Sequence, residues 1–227
     1  MTARPILSPA DSARIAAAVG AAEAHANGEI VTVVSRQSDS YADVALAWSA
    51  LVAGLALLAL NAAPAFYLAL ADRVLGLWGH EWTVREVLGL ALTVATVKFA
   101  GMWLILLYRP ARLALTPRMI RAGRVRARAA MAFHLGAQDR TDGATGVVIY
   151  LSMAERRAEI IADAAIAAKV APEVWGDAMH AMLDHFRKDR VADGMIAGVA
   201  AVGKVLAEHM PRDSKPANEL PDGPIEL

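Results

Sequence analysis

Between Val44 and Ala71 no side chain carries a charge, and between Val87 and Tyr108 only Lys98 does. Each run exceeds the roughly 20 residues with which an α-helix crosses a bilayer. The pattern predicts a first span from Val44 to about Ala63, where Asn61 and Pro64 end it or kink a longer helix reaching Ala71. A second span is predicted over 87–108, stopped by Arg109-Pro110. Trp78, His80 and Trp82 in the link suit headgroup depth, and Trp48 with Tyr108 suits the opposite interface. Outside the runs the period changes. Residues 8–27 read as a helix with Ser8 as cap, Pro9 in the first helical position and Asp11 at the positive end of the dipole. The β-branched run 29–35 reads as a strand, as do 145–152 and 156–163, joined by a short hairpin. Further helices are predicted over 117–135 (basic and amphipathic, with Thr116 as cap), 172–187 and 193–210, the last with Asp193 as cap. Met119, Met131, Met179, Met182 and Met195 read as core fillers.

This order has a consequence for organisation. A lone helix and strand before the first span make no stable domain, so strand 29–35 takes its partners from 145–163. An even number of spans puts both parts on one side of a membrane. The chain therefore reads as residues 1–43, the first part of a split α/β domain; 44–108, a transmembrane hairpin; 109–210, a basic helix and the second part; and 211–227, a proline-rich, disordered tail.

Charge fixes the orientation. Arg109, Arg112, Arg118, Arg121, Arg124, Arg126 and Arg128 follow the second run, and no acid appears until Asp139. Positive residues collect on the cytoplasmic side, so both termini are placed in the cytoplasm and the chain in the cytoplasmic membrane as a multi-pass protein. The same arginines are candidates for contact with anionic lipid headgroups, worth roughly 1 kcal/mol each. A net charge of zero and the lack of a stacking platform argue against nucleic acid as a partner. The chain has no cysteine, which excludes disulfides, thiolate metal sites and a thiol nucleophile.

Two constellations are candidate sites. Lys98 lies near mid-span, where a charge is costly. Counted from Gly79, Asn61 is 18 residues back and Lys98 is 19 forward, so the two form a candidate intramembrane polar pair if the first helix continues through Pro64. Asp142, Glu155, Asp163 and Asp193 lie near strand ends and turns, where turn and cap chemistry is the commoner role of Asp. Asp142 and Asp163 are the best candidates should Ca²⁺ or Mg²⁺ bind. His180 and Asp184 share a helix face without a third ligand. No nucleophile elbow, phosphate loop or dinucleotide fingerprint occurs.

Residues 145–152 (Thr-Gly-Val-Val-Ile-Tyr-Leu-Ser), 154–163 (Ala-Glu-Arg-Arg-Ala-Glu-Ile-Ile-Ala-Asp), 166–170 with Trp175, Ala192-Asp-Gly194, and the front-end run 28–34 resemble the TPM domain family, above all bacterial members interrupted by a two-span hairpin. The resemblance implies a three-layer α/β/α domain with a mixed sheet. A plant relative is associated with acid phosphatase activity, and some members bind calcium. Many members carry Gly-Tyr-Gly after the hairpin's second strand; here Asp163 is followed by Ala-Ala-Ile. The expected role is a membrane-anchored, non-catalytic interaction or accessory module with an unknown protein partner and no cofactor. The alternatives are a metal-dependent phosphatase and an anionic-lipid-binding protein.

Overall fold

The computed structural model describes residues 5–77, 80–136, 146–171, 173–211 and 222–227. The chain divides into two compact units, Met1–Asp39 with Arg118–Leu227, and Ser40–Pro117.

The first unit is built on a four-stranded mixed sheet. Its strands are β1 (Glu29–Ser35), β2 (Gly146–Ser152), β3 (Arg157–Ala162) and β4 (Ile225–Glu226), in the order β3-β2-β1-β4. β1 runs parallel to β2 in a register that sets Glu29 opposite Gly146 and Ser35 opposite Ser152. β2 and β3 form the antiparallel hairpin. The β-branched content of β1 and β2 suits strands covered on both faces, and nearly every residue of the two is buried. Alternation divides them. Ile30, Val34, Val147, Ile149 and Leu151 join the larger core, and Val31, Val33, Val148 and Tyr150 join a smaller one.

Each core has its own helices. α1 (Pro9–Glu23), α8 (Val174–Phe186) and α9 (Val191–His209) supply Ile15, Val19, Met182, Met195 and Val199 to the larger core. α6 (Arg118–Gly136) supplies Val125, Ala129 and Phe133 to the smaller one, at the i, i+4, i+8 spacing of a single helix face. α7 (Ala164–Ala167) is a single turn after β3. Gly203 brings α9 close to α1: a Cβ there would lie 2.6 Å from the Ala22 Cβ.

Several sequence expectations change. Ser8 caps α1 as expected, but the helix stops at Glu23 rather than Asn27. Asp193 is not a cap; it sits in the first turn of α9 and accepts from the Arg14 guanidinium at 2.6 Å, and that bond holds its carboxyl below the usual range. Met182 and Met195 are core residues, whereas Met119 and Met131 are exposed on α6 because they fall outside its Val125–Ala129–Phe133 face. The end of the chain, expected within a disordered tail, forms β4 beside β1. The Glu226 carboxylate accepts from the amides of Ile6 (2.6 Å) and Leu7 (3.1 Å), and the Arg36 amide donates to the Leu227 carbonyl at 3.0 Å.

The second unit is helical. α2 (Ala42–Ala62) and α4 (Val84–Leu107) pack on each other, with α3 (Pro64–Leu75) between them in sequence and α5 (Arg109–Leu115) after them. At 1.5 Å per residue, α2 and α4 are about 32 and 36 Å long. α4 begins earlier than its apolar run because Thr83 and Glu86 make a capping box. Ala63, at φ −138° and ψ 60°, breaks α2 from α3, and Pro64 occupies the first turn of α3. The Thr116 hydroxyl donates back to the Arg112 carbonyl at 2.8 Å, closing α5 rather than capping α6. The Trp48 indole donates to the Leu115 carbonyl at 3.1 Å.

Candidate functional site

Parallel strands direct their carboxyl ends to one edge of a sheet, the usual address of sites in α/β folds. Here that edge carries a buried polar chain that joins segments far apart in sequence. After β1 the backbone turns through Gln37 and Ser38, and after β2 it turns through residues 153–156. Arg156, at φ 50°, holds a left-handed conformation that brings Glu155 back over Ser152. The Glu155 carboxylate is 5% exposed. It accepts from the Ser38 amide at 3.0 Å and from the Ser152 hydroxyl in a short contact. The Ser38 hydroxyl donates to Ser152 Oγ at 3.0 Å. That uses its single proton, so the Tyr150 hydroxyl, 3.1 Å away, is the donor to Ser38 Oγ. The protons point one way, Tyr150 to Ser38 to Ser152 to Glu155. At the rim, Arg124 Nε of α6 pairs with Asp39 at 3.1 Å, and Gln37 donates to the Asp39 carbonyl at 2.5 Å.

The chemistry of this edge is that of a locked polar core. The Ser38 proton is committed to Ser152 Oγ and the Ser152 proton to the Glu155 carboxylate. Among the described residues, no three His, Asp or Glu side chains converge as metal ligands. Asp163 ends β3 and is 6% exposed; its nearest donor is the Gly146 amide at 3.4 Å, a long contact. Asp142 lies outside the described residues. His180 and Asp184 face solvent on α8, where Asp184 pairs with Arg187 at 3.2 Å.

The arginines fall into separate groups. Arg109 and Arg112 belong to α5. On α6, the helical period of about 100° per residue sets Arg121, Arg124 and Arg128 along one flank and Arg126 on the other. Arg126 and Arg157 offset the rise that burial imposes on the Glu159 carboxyl of β3. Arg118 is exposed at the start of the helix.

Asn61 and Lys98 are not brought together. Among the described residues no hydrogen bond joins them, and both side chains are exposed. The pairing required the first helix to run unbroken through Pro64, and the break at Ala63 removes that condition.

Sequence reasoning also missed Glu23. Burial pushes this carboxyl up to about 7, aided by the nearby Glu29 and Asp222 carboxylates and opposed by a 2.7 Å bond from the Ile30 amide. Folding therefore favours the protonated form. The group's contribution is most favourable below its unfolded value near 4.5 and is lost as pH rises toward 7. Glu23→Gln is expected to leave the melting temperature unchanged at pH 5 and raise it at pH 8, by thermal melts at the two values. An equal effect at both would mean that Glu23 is ionised throughout.

A mixed sheet with helices on both faces, and a helical unit set into the chain between β1 and β2, define an α/β domain split by an apolar insertion. The TPM domain family model matches residues 115–205. α1 and β1 precede the matched residues, although β1 pairs directly with β2. Among solved structures, the NMR structure of BA42 protein from the psychrophilic bacterium Bizionia argentinensis is similar, with a TM-score of 0.57, 16% identity and coverage of 100% of each chain. At that identity the likeness is one of fold. No curated protein matches the chain.

Proposed function

We propose that this is a membrane-anchored TPM-domain protein, with α2 and α4 crossing the cytoplasmic membrane and the split domain serving on the cytoplasmic face as a non-catalytic interaction or accessory module. The exposure of the two long apolar helices carries the reading. Only 22% of the most apolar stretch of α2 and 6% of that of α4 are buried, where a core helix of a soluble protein would be mostly covered. The seven arginines set the orientation. At the sheet edge Ser152 is fully buried and Glu155 is 5% exposed, out of reach of a substrate, which supports a role in binding rather than hydrolysis.

The natural absence of cysteine makes the test clean. Glu81→Cys in the link should react with a membrane-impermeant maleimide on intact cells, and Arg187→Cys on α8 only after lysis. The reverse pattern would overturn the orientation, and release of the protein by alkaline carbonate would overturn the anchor. Phosphate-ester hydrolysis stimulated by Mg²⁺ or Ca²⁺ and abolished by Asp163→Asn would replace the non-catalytic reading with a phosphatase.

A lipid-binding role for α6 has its own support. Its exposed side chains mix Arg118 and Arg128 with Met131 and Leu135, the composition of helices that lie in a headgroup layer. Replacing both arginines by glutamine should then weaken binding to anionic vesicles and leave neutral ones unaffected; equal binding to both would count against it.

A further inference from the structure

The helical unit contains a groove of about 420 Å³, within the range of about 300–1,000 Å³ typical of small-molecule sites. Three helices each give it one face: Ala59 and Leu60 from α2, Tyr67 and Ala71 from α3, Val94 and Lys98 from α4. The i, i+4 spacing on α3 and α4 sets each of those pairs on a common side. The lining is aliphatic, of leucine, valine and alanine, except at Tyr67 and Lys98, and Lys98 is its single charge. Among the described residues Lys98 has no ion-pair or hydrogen-bond partner. It stands nine residues before Leu107 and fourteen after Val84, about 14 and 21 Å from the two ends of α4.

We propose that this groove binds a long-chain fatty acid, its carboxylate on the Lys98 ammonium and its chain along the aliphatic wall. The proposal rests on the membrane reading above. In hydrocarbon a lone ammonium is strongly disfavoured, and a paired carboxylate supplies the charge that the hairpin lacks. The acids of the hairpin, Asp43, Asp72, Glu81 and Glu86, lie at helix ends or in the link, so a second copy has none at the depth of Lys98. A diacyl phospholipid keeps its headgroup at the surface, away from Lys98. A transmembrane helix is about 10–12 Å across and too thick for a groove of this volume. A single acyl chain ending in an acid matches the size, the apolar walls and the single cation together.

The test is displacement of a fluorescent fatty acid by oleate from the detergent-purified full chain. Saturable competition is expected from wild type, with Lys98→Leu weakening oleate at least tenfold and Lys98→Arg retaining it. Ala59→Phe, which fills the groove and keeps the lysine, should abolish binding. Methyl oleate should not distinguish wild type from Lys98→Leu. Oleate binding unchanged in Lys98→Leu, or absent from wild type, overturns the proposal. Carbonate extraction of the same membranes separates the two failures. Protein that stays embedded but ignores oleate refutes the fatty-acid site alone, and protein released from the membrane refutes the anchor on which the site depends.

Discussion

Glu155→Ala is expected to destabilise the split domain by about 3 kcal/mol, a large part of the roughly 5–15 kcal/mol that holds a domain folded. The carboxylate accepts from the Ser38 amide and the Ser152 hydroxyl at a position 5% exposed. Bonds to a charged acceptor contribute about 1.5–3 kcal/mol each, and the partners left behind stay buried without water. The loss spreads, because Ser152 is also the acceptor for Ser38, which in turn accepts from Tyr150. Glu155→Gln is the informative control. An amide can donate to Ser152, whose proton then turns to Ser38, so the hydroxyl chain reverses and the loss falls below about 1 kcal/mol. Chemical unfolding followed through hydrogen exchange of β1 and β2 amides reads both variants. Equal losses for Ala and Gln would show that charge rather than hydrogen bonding holds this edge.

Little of that edge was legible in the chain. Glu155 stood out as an acid near a turn, but nothing near Ser38 marks it, and 117 residues separate the two. Their meeting depends on the parallel β1–β2 register, which a linear pattern does not reveal. What could be read was local. The β-branched run 29–35 became β1 with the same limits, and Ser8-Pro9 opened α1 through the expected cap. The start of α4 was missed because a capping box, rather than hydropathy, decides where that helix begins. The strand at Ile225–Glu226 has two residues, too few to carry any period, and it follows a proline-rich segment that reads as unstructured. Lys98 was legible as a charge in an apolar run; its groove was not, because that depends on the break at Ala63 and on α3.

Leu51→Arg, near the middle of α2, should shift the protein out of the membrane fraction. An arginine at the centre of a span opposes insertion by about 2.5–3.5 kcal/mol, and replacing a leucine adds about 0.5 kcal/mol more. A free energy near 3 kcal/mol is over a hundredfold in an equilibrium, enough to decide the location of a helix of this length. Leu51 is 48% exposed, so the arginine can reach past the hairpin and the effect reports largely on the surroundings of α2. Leu51→Ala should remain inserted. Carbonate extraction reads the outcome, and full membrane retention of the arginine variant would mean that this face of α2 meets water.

The parallel pairing of β1 with β2 also dictates an order of events during synthesis. Ser35 cannot find Ser152 until the ribosome has made the whole intervening segment. The entropy of closing that loop grows only with the logarithm of its length, but a free loop of over a hundred residues remains a slow search. Packing of α2 on α4, together with the Trp48–Leu115 bond, ties residue 48 to residue 115 and, once formed, removes most of the slack from that loop. Early assembly of the hairpin would therefore speed the pairing of β1 with β2. A mutation that delays hairpin assembly would leave β1, with Ile30, Val31, Val33 and Val34 uncovered, unpaired on a nascent chain, exposed to aggregation and proteolysis although every residue of its own sheet is intact.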